Sequence, residues 1–286
     1  LIAMWPTAVD ASVTPYGVML VVGLLLAWGY ARTRAVAVGI EPSHVDLAVP
    51  LIFLLSIAGA RLLPMVSPGE SMFAAGSGVF SGRSRLLGLA FVAAPALFVY
   101  CRAARLGYRC MLDLLALPAI LWLACVRVGC FLAGCCWGDV AQQLETGRST
   151  SVAQVQTLPW LSSDWFWPAI AFPASSPAHA QHVYLGLIDA STAESLPVHP
   201  TQLYELAYLV VLWWLLRTIT SRDMPPGYLA VAAVAGYALG RFVLEFLRAD
   251  SGIILANLTF TQLLCAALLA GCLFTFGKMR GAESVA

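Results

Sequence analysis

Long, continuous runs of apolar residues fill most of the chain, with short polar segments between them. The hydrocarbon core of a bilayer is crossed by about 20 helical residues, so runs of this length predict transmembrane helices. The apolar positions do not alternate with polar ones, which favours helices over the strands of a barrel. We predict seven spans: Val13–Ala31, Val45–Pro64, Leu86–Cys101, Met111–Trp137, Thr201–Ile219, Gly227–Leu247 and Leu258–Phe276.

One long segment interrupts this pattern between the fourth and fifth spans. It is rich in proline and tryptophan and poor in charge, and tryptophan is favoured at the level of the lipid headgroups. We therefore expect an all-α, polytopic fold in three parts. Residues 1–138 hold four spans, residues 139–199 form a non-membrane insertion, and residues 200–286 hold three spans.

The composition agrees with this class of protein. Of the 286 residues, 60% are hydrophobic and 11% are charged, and the mean hydropathy is +0.82. Soluble domains carry about 25% charged residues, so this chain belongs in a membrane. The net charge of +1 provides no field for nucleic acid. The first apolar run lacks a basic flank and a small-residue cleavage site, so we expect no cleaved signal peptide.

Basic residues predict the orientation, because they collect at the cytoplasmic ends of membrane helices. Seven spans put nine of the lysines and arginines on one side and four on the other. The N-terminus and residues 139–199 are thus predicted to face outward, and the C-terminus to face the cytoplasm. The cytoplasmic set is Arg32, Arg34, Arg102, Arg105, Arg109, Arg217, Arg222, Lys278 and Arg280, and the outward set is Arg83, Arg85, Arg148 and Arg248.

Ionisable residues also fall inside the predicted spans. Each costs at least ~2.5 kcal/mol at bilayer depth, so a cluster drawn from several helices indicates a functional site. The alternative is a structural ion pair between helices, which apolar packing replaces at little cost. The residues concerned are Arg61, Arg127, Arg241, Asp113, Glu205 and Glu245.

Two polar clusters lie on the later spans. Tyr237, Arg241, Glu245 and Arg248 recur every three or four residues and so share one helix face. A guanidinium binds two phosphate oxygens at once, which makes this face a candidate for an anionic headgroup. The second cluster, His199–Glu205, opens the fifth span, and an ordinary helix N-terminus explains only part of it.

A third cluster, Arg127–Gly138, ends the fourth span and contains Cys130, Cys135 and Cys136. Thiolate metal sites usually use CxxC pairs with further ligands, and the spacing here is different. We therefore interpret the three cysteines as small apolar packing residues, ahead of a disulfide and of a metal site.

Together these clusters resemble the prolipoprotein diacylglyceryl transferase family. His199–Glu205 is similar to its HPTQLYE block, and Gly236–Asp250 to its YGxxRFxxEFxRxPD signature. Arg127–Gly138 shares the arginine, the phenylalanine and three glycines of RxGNFxNGExxG, and Asp113 stands fourteen residues before Arg127, which also fits. Weaker matches are Tyr16, Gly17, Gly59–Arg61 and Gln262.

The chain departs from the family pattern in two places. Cys130, Ala133 and Cys135 stand where the signature has asparagine, asparagine and glutamate, a cysteine-rich version familiar in part of the family. The loop before the third span lacks the family's histidine or tyrosine followed by two glycines. It carries Arg83 and Arg85 instead, as phosphate-facing residues or as anchors at the membrane surface.

The resemblance implies transfer of the diacylglyceryl group of phosphatidylglycerol to the lipobox cysteine of a prolipoprotein, in the bacterial inner membrane. It implies no metal or cofactor, and we expect a monomer whose outward side is periplasmic. Arg127 and Arg241 would bind the phosphate, and Glu245 would orient Arg241. His199 or Glu205 would be the base, with His199 favoured because its pKa lies near working pH. The implied substrate-binding residues are Tyr16, Arg61, Arg83, Arg85, Asp113, Gly138, Gln202, Tyr204, Tyr237 and Arg248.

Three rival functions stay open at this level. A divergent relative would pass a phospholipid-derived group to another acceptor, which the missing loop histidine favours. An inactive relative would only bind lipid. A small transporter would also carry arginine and glutamate within the membrane, but seven spans without an internal repeat argue against it.

Overall fold

The computed structural model describes residues 14–62, 85–140, 169–174, 176–220, 224–248, 253–255 and 258–283. They form helices and one small antiparallel sheet, with a 3-10 turn at Glu245–Leu247. The strands are β1 (Ile253–Leu255) and β2 (Leu258–Thr259). The helices are α1 (Pro15–Ala37), α2 (Pro42–Leu62), α3 (Arg85–Ala103), α4 (Tyr108–Leu132), α5 (Pro177–Tyr184), α6 (Thr201–Ile219), α7 (Tyr228–Leu244) and α8 (Phe260–Glu283).

Large apolar side chains lie on the outside of several helices. Leu25 of α1 is 55% exposed, and Leu273 and Phe274 of α8 are 71% and 66% exposed. Such surfaces are stable in lipid, where helices satisfy all of their own backbone hydrogen bonds. Within the described ranges, four stretches are long and apolar enough to cross a membrane: Pro15–Ala37, Tyr108–Leu132, Tyr228–Leu247 and Phe260–Met279.

Residues 28–118 form one compact unit. Its core lies between the end of α1, helices α2 and α3, and the first half of α4. Ala31 and Ala35 are fully buried there, because small side chains let neighbouring helices approach closely. The other core residues are Val45, Leu97, Cys101, Met111 and Leu114.

The second unit, residues 1–27 and 119–286, contains α7 packed against both α6 and α8. Glycines make the α6–α7 contact possible. A Cβ at Gly236 would lie 2.5 Å from Leu212, and one at Gly240 would overlap the ring of Tyr208. The Tyr208 hydroxyl donates a hydrogen bond to the Gly236 carbonyl at 2.6 Å. The GxxxG spacing on α7 thus sets the distance between these two helices.

The helix ends differ from the predicted spans for local reasons. α4 stops at Leu132 rather than Trp137, because Gly134 adopts a left-handed φ of +59° that terminates the helix. The last helix begins two residues later than predicted, because Leu258–Thr259 pairs with β1. The described residues are mostly helical, as an all-α membrane protein requires, and this short strand pair is a local departure from the predicted helices.

Residues at the two ends of the 139–199 segment meet. The Asp139 N–H donates to the Leu247 carbonyl at 2.9 Å, and the His199 N–H donates to the Asp139 carbonyl at 3.0 Å. The Gly138 N–H donates to the His199 carbonyl at 2.8 Å. A small apolar core packs beside this junction, formed by Trp137, Phe172, Ala178 and Val198.

Candidate active site

Four charged side chains in the second unit form what we call the charge cluster: Arg127 of α4, Glu205 of α6, Arg241 of α7 and Glu245 of the 3-10 turn. Arg127 Nη2 lies 2.9 Å from Glu205 Oε1. Arg241 Nη2 lies 2.7 Å from Glu245 Oε2, and its Nη1 lies 3.8 Å from Glu205 Oε2. Glu205 therefore bridges the two arginines.

The charge cluster is almost closed to solvent. Arg127 and Glu245 are 2% exposed and Glu205 is 3% exposed. Arg241 is the most accessible member, since 14% of its side chain is exposed. Within the described part of the chain, Arg127 Nε has no hydrogen-bond partner. The cluster thus holds guanidinium donors that its own carboxylates do not use, which suits it to an anionic ligand.

A capping box at the start of α8 holds Glu245 in place. The Gln262 N–H donates to Thr259 Oγ1 at 3.2 Å, and the Thr259 N–H donates to Gln262 Oε1 at 2.9 Å. This reciprocal pair is the ordinary N-terminal cap of a T-x-x-Q sequence. The Thr259 hydroxyl in turn donates to Glu245 Oε1 at 3.1 Å. One oxygen of Glu245 therefore contacts Thr259, and the other lies 2.7 Å from Arg241 Nη2.

Tyr237 and Arg248 complete this side of the site. The phenol of Tyr237 lies in hydrogen-bonding range of Arg127 and close to Glu205 and Arg241. Arg248 directly follows the 3-10 turn and is 8% exposed. The predicted polar face on this segment therefore continues beyond the end of α7 at Leu244.

The loop after α4 is hydrogen-bonded to the start of α6. Gln202 Nε2 donates to the Cys135 carbonyl, and Thr201 Oγ1 donates to the Cys136 carbonyl, both at 2.7 Å. Gly138 is enclosed, since a Cβ there would lie 2.6 Å from the Leu247 carbonyl oxygen. These contacts fix the distance between the elements that carry Arg127 and Glu205.

His199 lies directly before α6, beside Asp139 and Tyr204. Its Nδ1 is 3.3 Å from the Tyr204 hydroxyl. Burial lowers the pKa of His199 below its ordinary value of 6.5, and the charge of Asp139 opposes part of this shift. Burial also raises the pKa of Asp139, whose carboxylate accepts a hydrogen bond from the Val140 N–H. His199 is therefore neutral near pH 7 and able to accept a proton.

Three cysteines border the charge cluster. The Sγ atoms of Cys130, Cys135 and Cys136 all lie within 4.8 Å of one another. Tyr16 of α1 packs against them, and a Cβ at Gly129 would lie 3.3 Å from its ring. The sequence spacing gave no sign that three sulfur atoms converge here.

The remaining predicted site residues fall elsewhere. Asp113 is half-buried in α4, in the unit formed by residues 28–118. Arg83 and the side chains of Arg61 and Arg85 lie outside the described residues. Sequence reasoning missed Asp139 and Thr259. The T-x-x-Q capping pattern before the last apolar run is the signal that points to Thr259.

Fold and site together define a multi-pass helical membrane protein with a buried arginine–glutamate cluster. The chain belongs to the prolipoprotein diacylglyceryl transferase family, whose family model matches residues 5–277. This confirms the resemblance of the three sequence clusters.

Curated relatives extend over most of the chain. A phosphatidylglycerol–prolipoprotein diacylglyceryl transferase of Dehalococcoides mccartyi is 26% identical over 82% of this chain and 77% of the relative. One of Nitratidesulfovibrio vulgaris is 27% identical, covering 93% of this chain and 89% of the relative. One of Corynebacterium diphtheriae is 25% identical over 94% of this chain and 90% of the relative. The residues matched by the family, 5–277, include the whole charge cluster.

Proposed function

We propose that the protein transfers the diacylglyceryl group of phosphatidylglycerol to the lipobox cysteine of a prolipoprotein signal peptide. The charge cluster is the observation that carries this proposal, because its residues stand on the family's signature positions and offer unused guanidinium donors. The relatives are named for the same reaction.

The phosphate is proposed to bind at Arg127 and Arg241. Within the charge cluster two arginines and two glutamates balance one another, so a phosphodiester needs further positive charge. Arg248 supplies it from the described residues, and Arg83 and Arg85 are further candidates. Glu245 orients Arg241 through their 2.7 Å contact. Preorganised cations of this kind stabilise the negative charge that builds up on a leaving phosphate.

The base is proposed to be His199 rather than Glu205. Each oxygen of Glu205 faces an arginine, so this carboxylate is engaged in holding the two guanidinium groups. His199 is neutral and free of ion pairing with arginine among the described contacts. His199 takes the proton of the lipobox thiol. The thiolate then attacks the carbon of the diacylglyceryl group that is bonded to the phosphate oxygen. A C–S bond forms, the C–O bond breaks, and glycerol phosphate leaves.

The membrane arrangement is part of the same proposal. The seven long helices α1, α2, α3, α4, α6, α7 and α8 are the proposed spans. The N-terminus and residues 139–199 are proposed to face the periplasm, and the C-terminus the cytoplasm, in the bacterial inner membrane. The 139–199 segment would then belong to the side from which a signal peptide presents its thiol. The working unit is proposed to be a monomer, with Tyr16, Gln202 and Tyr204 among the substrate-binding residues.

The test is transfer by the purified protein in detergent or nanodiscs. Labelled phosphatidylglycerol and a lipobox peptide are incubated with it, and the thioether product is identified by mass spectrometry. A peptide with serine in place of the lipobox cysteine is the substrate control, and Arg217→Ala, at the exposed far end of α6, is the protein control. Lipid binding without a thioether product would instead favour another acceptor or a protein that only binds lipid.

A further inference from the structure

The end of α4 is a turn that brings two cysteines together. The Cys135 N–H donates to the Cys130 carbonyl and the Gly134 N–H donates to the Phe131 carbonyl, each at 3.1 Å. With Gly134 at φ +59°, this is a Schellman motif. The motif usually brings an apolar residue beyond the helix into contact with one in its last turn. Here the two contacting residues are Cys135 and Cys130.

Cys136 adds the third sulfur atom through an uncommon backbone conformation. Its φ of +64° lies in the left-handed region, which is rare for a residue other than glycine. All three Sγ atoms lie within 4.8 Å of one another. Three thiolates that share one metal ion, at a metal–sulfur distance of about 2.3 Å, lie about 4 Å apart. Side-chain adjustments of less than about 1 Å therefore suffice for a common ion.

Positive charge and apolar side chains surround the three sulfur atoms. Arg127 acts electrostatically on both Cys130 and Cys136, and Arg248 acts on Cys136. Cys130 is buried among Leu20, Val126 and their neighbours, while Cys135 and Cys136 are only half-buried. The site therefore has positive charge beside it, an apolar wall behind it and access from one side.

We propose that Cys130, Cys135 and Cys136 bind one soft metal ion through three thiolates. Soft sulfur ligands select Cu(I) and Zn(II). Zn(II) almost always takes four ligands in structural sites, and in the described part of the chain this group has no fourth metal-binding side chain. Cu(I), which is satisfied with fewer ligands, is the ion that the geometry favours. Binding displaces the thiol protons to solvent.

The three cysteines take no part in the proposed transfer step, but the loop that carries them contacts the helix that carries Glu205. The carbonyls of Cys135 and Cys136 accept the hydrogen bonds of Gln202 and Thr201. An ion that fixes the three sulfur atoms therefore also fixes the loop after α4 against the start of α6. Because the ion binds only the folded arrangement, it is expected to raise the melting temperature of the protein.

The experiment is a metal titration of the whole, reduced protein in detergent without oxygen. Cu(I) is added in competition with bicinchoninate, and Zn(II) and Cd(II) are added separately, with sulfur-to-cadmium charge transfer followed in the ultraviolet. We expect one Cu(I) per chain and a raised melting temperature. The Cys135→Ser/Cys136→Ser variant is expected to lose both effects. Cys110→Ser, which removes an exposed thiol elsewhere, is expected to keep both.

Several results would overturn the proposal. One is an unchanged Cu(I) stoichiometry in a Cys135→Ser/Cys136→Ser protein whose circular dichroism shows the fold intact. Another is a disulfide between two of the three cysteines in freshly isolated protein, together with no ion bound after reduction. Tighter binding of Zn(II) than of Cu(I) would overturn the choice of ion. If the double variant fails to fold, Cys135→Ala alone carries the same comparison, because Gly134 still caps the helix.

Discussion

The carboxylate of Glu205 contacts the guanidinium groups of two arginines. It faces Arg127 on one oxygen and Arg241 on the other, inside a region that solvent barely reaches. Such an arrangement costs several kcal/mol of desolvation per ion before its contacts offset that cost. Removing any one member therefore affects the charge balance of the rest.

Arg241→Ala leaves Glu245 buried without its guanidinium partner. We expect the free energy of unfolding to fall by about 3–5 kcal/mol and the transfer rate to fall at least about 100-fold. Arg241→Lys keeps the charge but loses the two-pronged contact, so it should recover more stability than activity. Thermal melts and the thioether assay measure the two effects. Wild-type turnover by Arg241→Ala would contradict the proposed phosphate site.

The protonation of His199 predicts how the transfer rate depends on pH. Burial lowers its pKa below 6.5 against the opposing charge of Asp139, so the neutral form predominates above pH 6.5 and is lost as the pH falls through the lowered pKa. The transfer rate is expected to be level above pH 6.5 and to decline below it. Asp139→Asn removes the charge that raises the pKa, so the decline should move to lower pH. A full rate in His199→Gln would assign the base elsewhere.

The sequence predicted the members of the charge cluster because arginine and glutamate are conspicuous in apolar runs. It did not predict Asp139 as the neighbour of His199, since the two are joined by backbone hydrogen bonds across the whole insertion. Nor did it predict the convergence of the cysteines. Cys130 and Cys135 are five residues apart, and they come together only because Gly134 ends the helix in a left-handed turn.

Between elements, the α6–α7 contact controls how close Glu205 comes to Arg241. Gly240 directly precedes Arg241 on α7. The ring of Tyr208, which packs against Gly240, lies one turn after Glu205 on α6. Gly240→Ala places a methyl group against the Tyr208 ring, which should lower the free energy of unfolding by about 1–3 kcal/mol. Transfer should fall with it, because the two charged side chains move apart.

Gly271→Ala is the matched control for this change. Gly271 lies in α8 with nothing within 4 Å of an added Cβ. Its replacement should be neutral or stabilising by up to about 1 kcal/mol, since alanine is the better helix former. Equal melting temperatures for the two variants would remove the proposed role of the GxxxG spacing.

Among the described residues, each long helix coincides with one of the predicted apolar runs, because a helix that faces lipid needs an apolar composition over a sufficient length. The apolar runs did not predict the helix ends. Pairing of Leu258–Thr259 with β1 delays α8, and the backbone of Gly134 shortens α4. Both depend on hydrogen bonds and dihedral angles that hydropathy does not report.

For the whole molecule, the proposed orientation is tested with thiol reagents on intact cells. Cys110 is exposed at the start of α4, on the predicted cytoplasmic side. A Tyr184→Cys variant places a thiol in the 139–199 segment, where Tyr184 is 89% exposed. We expect a membrane-impermeant reagent to label the Tyr184→Cys position and to leave Cys110 unlabelled until the membrane is opened. The reverse pattern would invert the topology, and Cys110→Ser identifies the Cys110 signal.

The junction at Gly138, Asp139 and His199 gives the segment between these residues a modular character. Its two ends are tied to each other and to Leu247 by backbone hydrogen bonds, so the chain leaves and re-enters the bundle at a single point. The 139–199 segment, which we call the cassette, can therefore lengthen, shorten or be exchanged without changing the distance between α4 and α6. Evolution could therefore remodel the segment that we propose to meet the peptide while the charge cluster stays unchanged. A chimera that carries a relative's cassette, joined at residues 139 and 199, is expected to insert and fold normally and to adopt the donor's preference among signal peptides.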